Sequence, residues 1–208
     1  MSLAPIALFV YNRPDHTLRT LEALAQNDLA SQSELFVYSD GPKYDADPNT
    51  IKAIEEVRAL IKEQQWCKKV TIYESDTNKG LADSIVFGVT EIINTYGKII
   101  VLEDDIVTSK GFLQYMNDAL TLYENEERVM HISGYMYPIN TKKTSTICLR
   151  LLSCWGWATW SRAWKHYNPN TANHLEELED SAAIDRFNIR GSADFYDQLK
   201  RNQYGEIY

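Results

Sequence analysis

Four short apolar runs recur along the first half of the chain at intervals of about 30 residues, each followed by turn residues and a helical stripe. They are Ile6-Ala7-Leu8-Phe9-Val10-Tyr11, Leu35-Phe36-Val37-Tyr38, Val70-Thr71-Ile72-Tyr73 and Ile99-Ile100-Val101-Leu102. Continuous apolar runs rich in β-branched and aromatic side chains mark strands buried on both faces, as in parallel sheets. Between them, Leu18, Leu21, Leu24 and Ala25 fall at helical spacing, as do Ile51, Ile54, Val57 and Ile61, and then Leu81, Ile85, Val89, Ile92, Ile93 and Tyr96. Pro14 and Pro48 suit the first turns of helices, with Asp47 as the cap before the second. Ser109 is expected to cap a helix carrying Phe112, Met116, Ala119 and Tyr123. This alternation predicts an α/β fold with a doubly wound, mainly parallel sheet and right-handed connections. Further strands are expected at 129–133 and 147–152.

The composition of the 208 residues is that of a globular chain, 44% hydrophobic and 24% charged. A net charge of −8 argues against a nucleic-acid partner, which would call for a basic face. No apolar run approaches the ~20 residues of a membrane-spanning helix, which leaves only peripheral membrane association open. Cys67, Cys148 and Cys154 are odd in number and lack metal-ligand spacing, so a reducing, cytoplasmic setting is the simplest expectation.

The fourth run ends in Glu103-Asp104-Asp105. In an open α/β sheet the carboxyl ends of the strands are where ligands bind. Three acids there repel one another unless a positive group joins them, and hard cations such as Mg²⁺ or Mn²⁺ take carboxylate oxygens. A solvated acidic turn would carry the same residues. Asn12-Arg13 and Asp40 fall at the ends of the first two runs, so a parallel sheet would bring all three features to one edge. Arg13 suits a phosphate or a base carbonyl, and equally a surface position beside a proline. Asp40 suits a nucleobase or ribose donor, and equally its own Ser39-Asp40-Gly41-Pro42 turn. Asn78-Lys79-Gly80 precedes a helix, where Gly80 leaves room for close approach of a ligand or simply forms a turn. Trp155, Trp157, Trp160 and Trp164 fall within ten residues. They offer flat faces to a sugar or a plug that closes the sheet.

Taken in order, Asn12-Arg13-Pro14, Tyr38-Ser39-Asp40-Gly41, Asn78-Lys79-Gly80-Leu81-Ala82-Asp83-Ser84 and Glu103-Asp104-Asp105 resemble the motif series of GT-A fold glycosyltransferases. The likeness is nearest to the N-acetylglucosaminyltransferase I type, whose metal motif is also Glu-Asp-Asp. It extends over about residues 5 to 165, through the aromatic-led segment Gly111-Phe112 and the Gly156-Trp157-Ala158 segment. The resemblance implies a nucleotide-sugar-binding domain at 4–165 and a C-terminal helical extension at 166–208, docked on it and truncated. It further implies a metal-dependent, inverting transfer from a UDP-sugar to a saccharide or glycolipid acceptor, with Mn²⁺ or Mg²⁺ as cofactor. Asp105 is the implied metal ligand. Asn12, Arg13, Asp40, Asn78, Gly80, Asp83, Ser84, Glu103 and Asp104 are the implied donor-binding residues. Trp155, Gly156 and Trp157 would face the acceptor or the donor sugar. The family's acceptor-activating base stands beside a later tryptophan, and none follows Trp164 here. Asp180, Glu179 and Glu206 are the candidates within the chain, and a base beyond Tyr208 is the alternative. Two rival readings remain: a non-catalytic sugar- or nucleotide-binding domain of the same fold, and a nucleotidyltransferase making nucleotide-sugars. The latter would want a glycine-rich loop after the first strand, and Asn12 to His16 contains no glycine.

Overall fold

The computed structural model describes residues 2–136 and 147–206. It divides into two compact units, Met1–Lys165 and His166–Tyr208. In the first unit, strands β1 (Ile6–Val10), β2 (Glu34–Ser39), β3 (Lys69–Glu74), β4 (Lys98–Glu103), β5 (Ile132–Ser133) and β6 (Trp157–Trp160) form one sheet in the order β3-β2-β1-β4-β6-β5. The first four are mutually parallel, with Ile6 opposite both Leu35 and Ile100; β6 runs antiparallel to β4 and β5. The fold is therefore α/β with a mixed, mostly parallel six-stranded sheet.

Helices α1 (Pro14–Ala25), α2 (Pro48–Lys62), α3 (Leu81–Tyr96), α4 (Phe112–Leu122) and α5 (Ser161–Trp164) complete this unit. Alternate strand residues separate two cores. Ile6, Leu8, Leu35, Val37, Ile100 and Leu102 pack with Leu21 and Leu24 of α1, Val57 and Ile61 of α2, and Leu113 and Met116 of α4. Ala7, Phe9, Phe36, Tyr38, Ile99 and Val101 pack on the other face against Val89, Ile92 and Ile93 of α3. That two-sided burial is why the strands read as unbroken apolar runs. Gly88 lets α3 settle on the sheet, since a Cβ there would lie 2.9 Å from the rings of Phe9 and Tyr38.

Pro14 and Pro48 begin their helices, and the Asp47 carboxylate accepts from the N–H groups of Asn49 and Thr50. Ser109 does not cap α4. Gly111 holds the cap position, and the orphan N–H of Leu113 donates instead to Asn27 Oδ1 at 2.9 Å, from the end of α1. At the far end, Arg162 donates to the carbonyls of Tyr123, Glu124 and Val129, so its cation meets the negative end of the helix. The segment 147–152 is not a strand, and of 129–133 only Ile132 and Ser133 are extended in the sheet. The place beside β4 is taken by Trp157–Trp160, within the tryptophan cluster.

The second unit holds α6 (Thr171–Glu177), α7 (Ser181–Phe187) and α8 (Phe195–Gln203), none with a fully buried residue. Among the described residues, no helix is long and apolar enough to cross a membrane.

Candidate functional site

The strand order places β1 between β2 and β4, so the chain winds outward in opposite directions from it. The crevice between the carboxyl ends of β1 and β4 is the topological switch point, the place where open α/β sheets take ligands. Arg13 leaves the end of β1, and Glu103-Asp104-Asp105 leave the end of β4. Their side chains meet across the crevice. Arg13 Nε donates to Asp104 Oδ2 at 3.2 Å, its Nη2 to Asp104 Oδ1, and its Nη1 to Asp105 Oδ2 at 3.1 Å. Such a fork fixes both direction and plane.

Both ends of the fork are held by the backbone. Thr17 on α1 donates to the Arg13 carbonyl and Thr20 to the Asp104 carbonyl, at 2.9 and 2.8 Å. Both threonines are fully buried. No motif marks them; their sign in the sequence is two polar residues adjoining the Leu18, Leu21 and Leu24 stripe.

The three acids differ in environment. Asp104 is buried, with 4% of its side chain exposed; burial pushes its carboxyl up while the Arg13 fork pulls it back. Glu103 is half-buried, and burial, then Asp105 and Asp104, raise it against the opposing pull of Arg13. Among the described residues its side chain makes no hydrogen bond. Asp105 is 41% exposed, and among the described residues its Oδ1 makes no hydrogen bond.

Asp40, at the end of β2, accepts from Gly41 N, Asn78 Nδ2, Lys79 N and Gly80 N at 2.9 to 3.0 Å. Its lone pairs are thereby engaged by its own chain. The carboxylate anchors the Asn78-Lys79-Gly80 turn to the sheet edge. Gly41 permits this because a Cβ there would lie 2.6 Å from Ser75 O and Thr77 N. Gly80 takes a positive φ of 80° and starts α3, whose exposed first turn holds Asp83 and partly buried Ser84. Arg58 of α2, which no sequence motif marks, donates to Ser75 O at 2.6 Å and ties the ends of β2 and β3 together. Asn12 lies partly exposed beside Arg13.

The tryptophans divide. Trp157 and Trp160 are buried. Trp157 stacks on His131 and Trp164, while Trp160 Nε1 donates to Leu120 O at 3.0 Å. Of the two roles the cluster offered, these two rings take that of the plug, with Trp157 packed in the core on the α3 side of the sheet. Trp155 is 45% exposed, with Tyr135 edge-on to it at 4.8 Å. Gly156 is buried at a φ of 71°, and a Cβ on it would press on Phe112 and Ile106. Cys154, exposed next to Trp155, is close enough to Glu103 and Asp105 to feel their charge, although burial is the larger cause of its raised thiol pKa. Glu179, Asp180 and Glu206 belong to the second unit, where Asp180 caps α7 and Glu206 pairs with Arg201 at 3.5 Å.

Fold and site together define an α/β chain with an Arg–carboxylate cluster at the switch point of a mostly parallel sheet. Its backbone is similar to the crystal structure of S. aureus TarS 1-349, with a TM-score of 0.44 and 16% identity over 86% of this chain and 52% of that one. A second similar structure, S. aureus TarS, gives 0.43 and 17% over 85% of this chain and 31% of that one. The chain thus spans about half the length of TarS 1-349. No protein-family model and no curated protein sequence matches it.

Proposed function

We propose that the chain carries the donor site of a metal-dependent glycosyltransferase, moving a sugar from a UDP-sugar to a saccharide or glycolipid acceptor with inversion. The observation that carries this reading is the Arg13–Asp104–Asp105 cluster at the switch point between β1 and β4. One Arg13 guanidinium serves both aspartates there, which leaves the cluster with a net negative charge and, among the described residues, Asp105 Oδ1 and the Glu103 carboxylate without a hydrogen bond.

The donor set fits a hard divalent cation bound together with its substrate. Among the described residues no three His, Cys, Asp or Glu side chains are grouped to hold an ion alone. Mg²⁺ commonly takes one or two carboxylates and completes its shell with phosphate oxygens and water. Asp105, with Oδ1 open, would be that carboxylate, and Mn²⁺ or Mg²⁺ would supply the Lewis acid that stabilises the departing diphosphate.

The remaining residues act by position. Arg13 sets the plane of Asp104 and the reach of Asp105. Asp40 holds the Asn78-Lys79-Gly80 turn, so the backbone there lies ready beside the nucleotide with Asp83 and Ser84 behind it. Glu103, half-buried and short of partners, accepts from donor hydroxyls. Trp155 forms the aromatic side of the acceptor region.

One observation favours a second reading, donor binding without transfer. Of the three acids considered as acceptor base, Asp180 and Glu206 are engaged in local contacts of the second unit. Incubation with a panel of UDP-sugars and Mn²⁺, read as released UDP, tests the transfer reading. Release lost on chelation is expected; tight UDP binding with no release from any donor would favour the binding module.

A further inference from the structure

We propose that the outer edge of β3 is a self-association surface on which a second copy of this chain docks antiparallel about a two-fold axis. Among the described residues β3 has β2 as its only strand neighbour. The direction of its backbone groups follows from one bond: Ser75 N–H donates to the Ser39 carbonyl at 2.9 Å, in step with the Ser39–Glu74 register. Residues that bond one neighbour alternate along a parallel strand with residues facing the other way. Thr71 and Tyr73 therefore face β2, while Val70, Ile72 and Glu74 turn their N–H and C=O groups outward.

Pairing centred on Ile72 satisfies all of these groups at once. Ile72 meets the partner's Ile72, and Val70 meets the partner's Glu74, so each outward N–H and C=O gains a partner. Thr71 then lies opposite the partner's Tyr73, a close pair on the α3 face. Charge fixes the direction. The strand follows Lys68 and begins at Lys69, and it ends at Glu74. Antiparallel pairing joins unlike ends, whereas parallel pairing would set like charges side by side. Lys69 lies 3.6 Å from Glu34 on the α3 side, and Glu74 Oε1 lies 2.7 Å from Lys62 on the α2 side, which leaves Glu74 Oε2 for the partner's Lys68, the lysine that alternation puts on the same face. Beside the edge, Tyr73 is 48% and Phe87 51% exposed, apolar surface that the second copy would cover. Six strand residues alone make a small interface, so the dimer is weak and concentration-dependent.

Sedimentation velocity on the whole chain from about 5 to 200 μM tests this, since mass action raises the dimer fraction with concentration. A rise in the weight-average coefficient from monomer toward dimer is expected. Ile72→Pro removes an outward N–H without touching the β2 ladder and should abolish the rise. Glu74→Lys should abolish it too, and mixing that variant with Lys68→Glu/Lys69→Glu should restore a heterodimer while each stays monomeric alone. Circular dichroism shows that each variant is folded. A chain that stays monomeric throughout, or a dimer indifferent to Glu74→Lys with no rescue on mixing, overturns the proposal. The proposal is independent of the donor-site reading.

Discussion

Replacing Arg13 with alanine should cost more than replacing Asp104 with asparagine, although both break the same fork. Asp104 is 4% exposed and Arg13 47% exposed. Orphaned Arg13 rehydrates, whereas orphaned Asp104 remains a buried charge. Breaking a fully buried ion pair from one side costs about 3–5 kcal/mol. Solvent screening on the Arg13 side reduces this to about 2–3 kcal/mol for Arg13→Ala. For a chain of this length that is a fall in Tm of about 4–12 °C. Urea unfolding followed by tryptophan fluorescence is the assay, because all five tryptophans lie in the Met1–Lys165 unit. Arg13→Lys, which keeps the charge and loses the fork, should fall between wild type and Arg13→Ala. A double-mutant cycle on the two residues should return a coupling of about 1–3 kcal/mol. Equal costs for Arg13→Ala and Asp104→Asn, or a coupling indistinguishable from zero, would refute the reasoning.

Gly41→Ala drives a Cβ into the backbone of Ser75 and Thr77; it should cost about 1–3 kcal/mol in chemical denaturation, and a neutral result would mean that the Asp40 turn yields easily. Burial pushes the Cys67 thiol up to about 12, while Cys148 and Cys154 are exposed. A thiol reagent at pH 8 should titrate two cysteines at once and the third only on unfolding; three immediate equivalents would contradict that packing. Burial raises the carboxyls of Glu103 and Asp104 in the fold, so the folded chain holds their protons more tightly than the unfolded chain. Their contribution to stability is therefore largest below the ordinary carboxylate range and is lost as pH rises through the folded values. Glu103→Gln should raise Tm at pH 8 and flatten its pH dependence; an unchanged pH profile would show that Glu103 is solvated.

The sequence pattern placed the four parallel strands and the helices between them because each buried strand is apolar on both faces and each helix carries one stripe. It misplaced the antiparallel end of the sheet. Ile147 to Leu152 is more apolar than Trp157 to Trp160 only by composition, and pairing with β4 decides which becomes a strand. Ser109 had the chemistry of a cap, yet Asn27 does the capping from 86 residues away, a relation that local spacing cannot carry. The convergence of Arg13, Asp40, Asn78 and the acids on one edge was legible because a parallel sheet collects its carboxyl ends. Their mutual contacts were not. Arg13 and Asp40 each carried both a ligand-binding and a local reading in the sequence; in the fold Arg13 bonds the acids and Asp40 anchors a turn. Thr17, Thr20 and Arg58, which hold that edge together, bond to carbonyl groups, and no side-chain motif announces such partners.

The donor-site account rests most directly on Asp105. Calorimetric titration of the chain with UDP should show binding in the presence of Mn²⁺ and none after chelation. Asp105→Asn, at an exposed position where the fold should survive, should abolish the metal-dependent part. Absence of UDP binding with Mn²⁺, or binding unchanged in Asp105→Asn, would contradict the account.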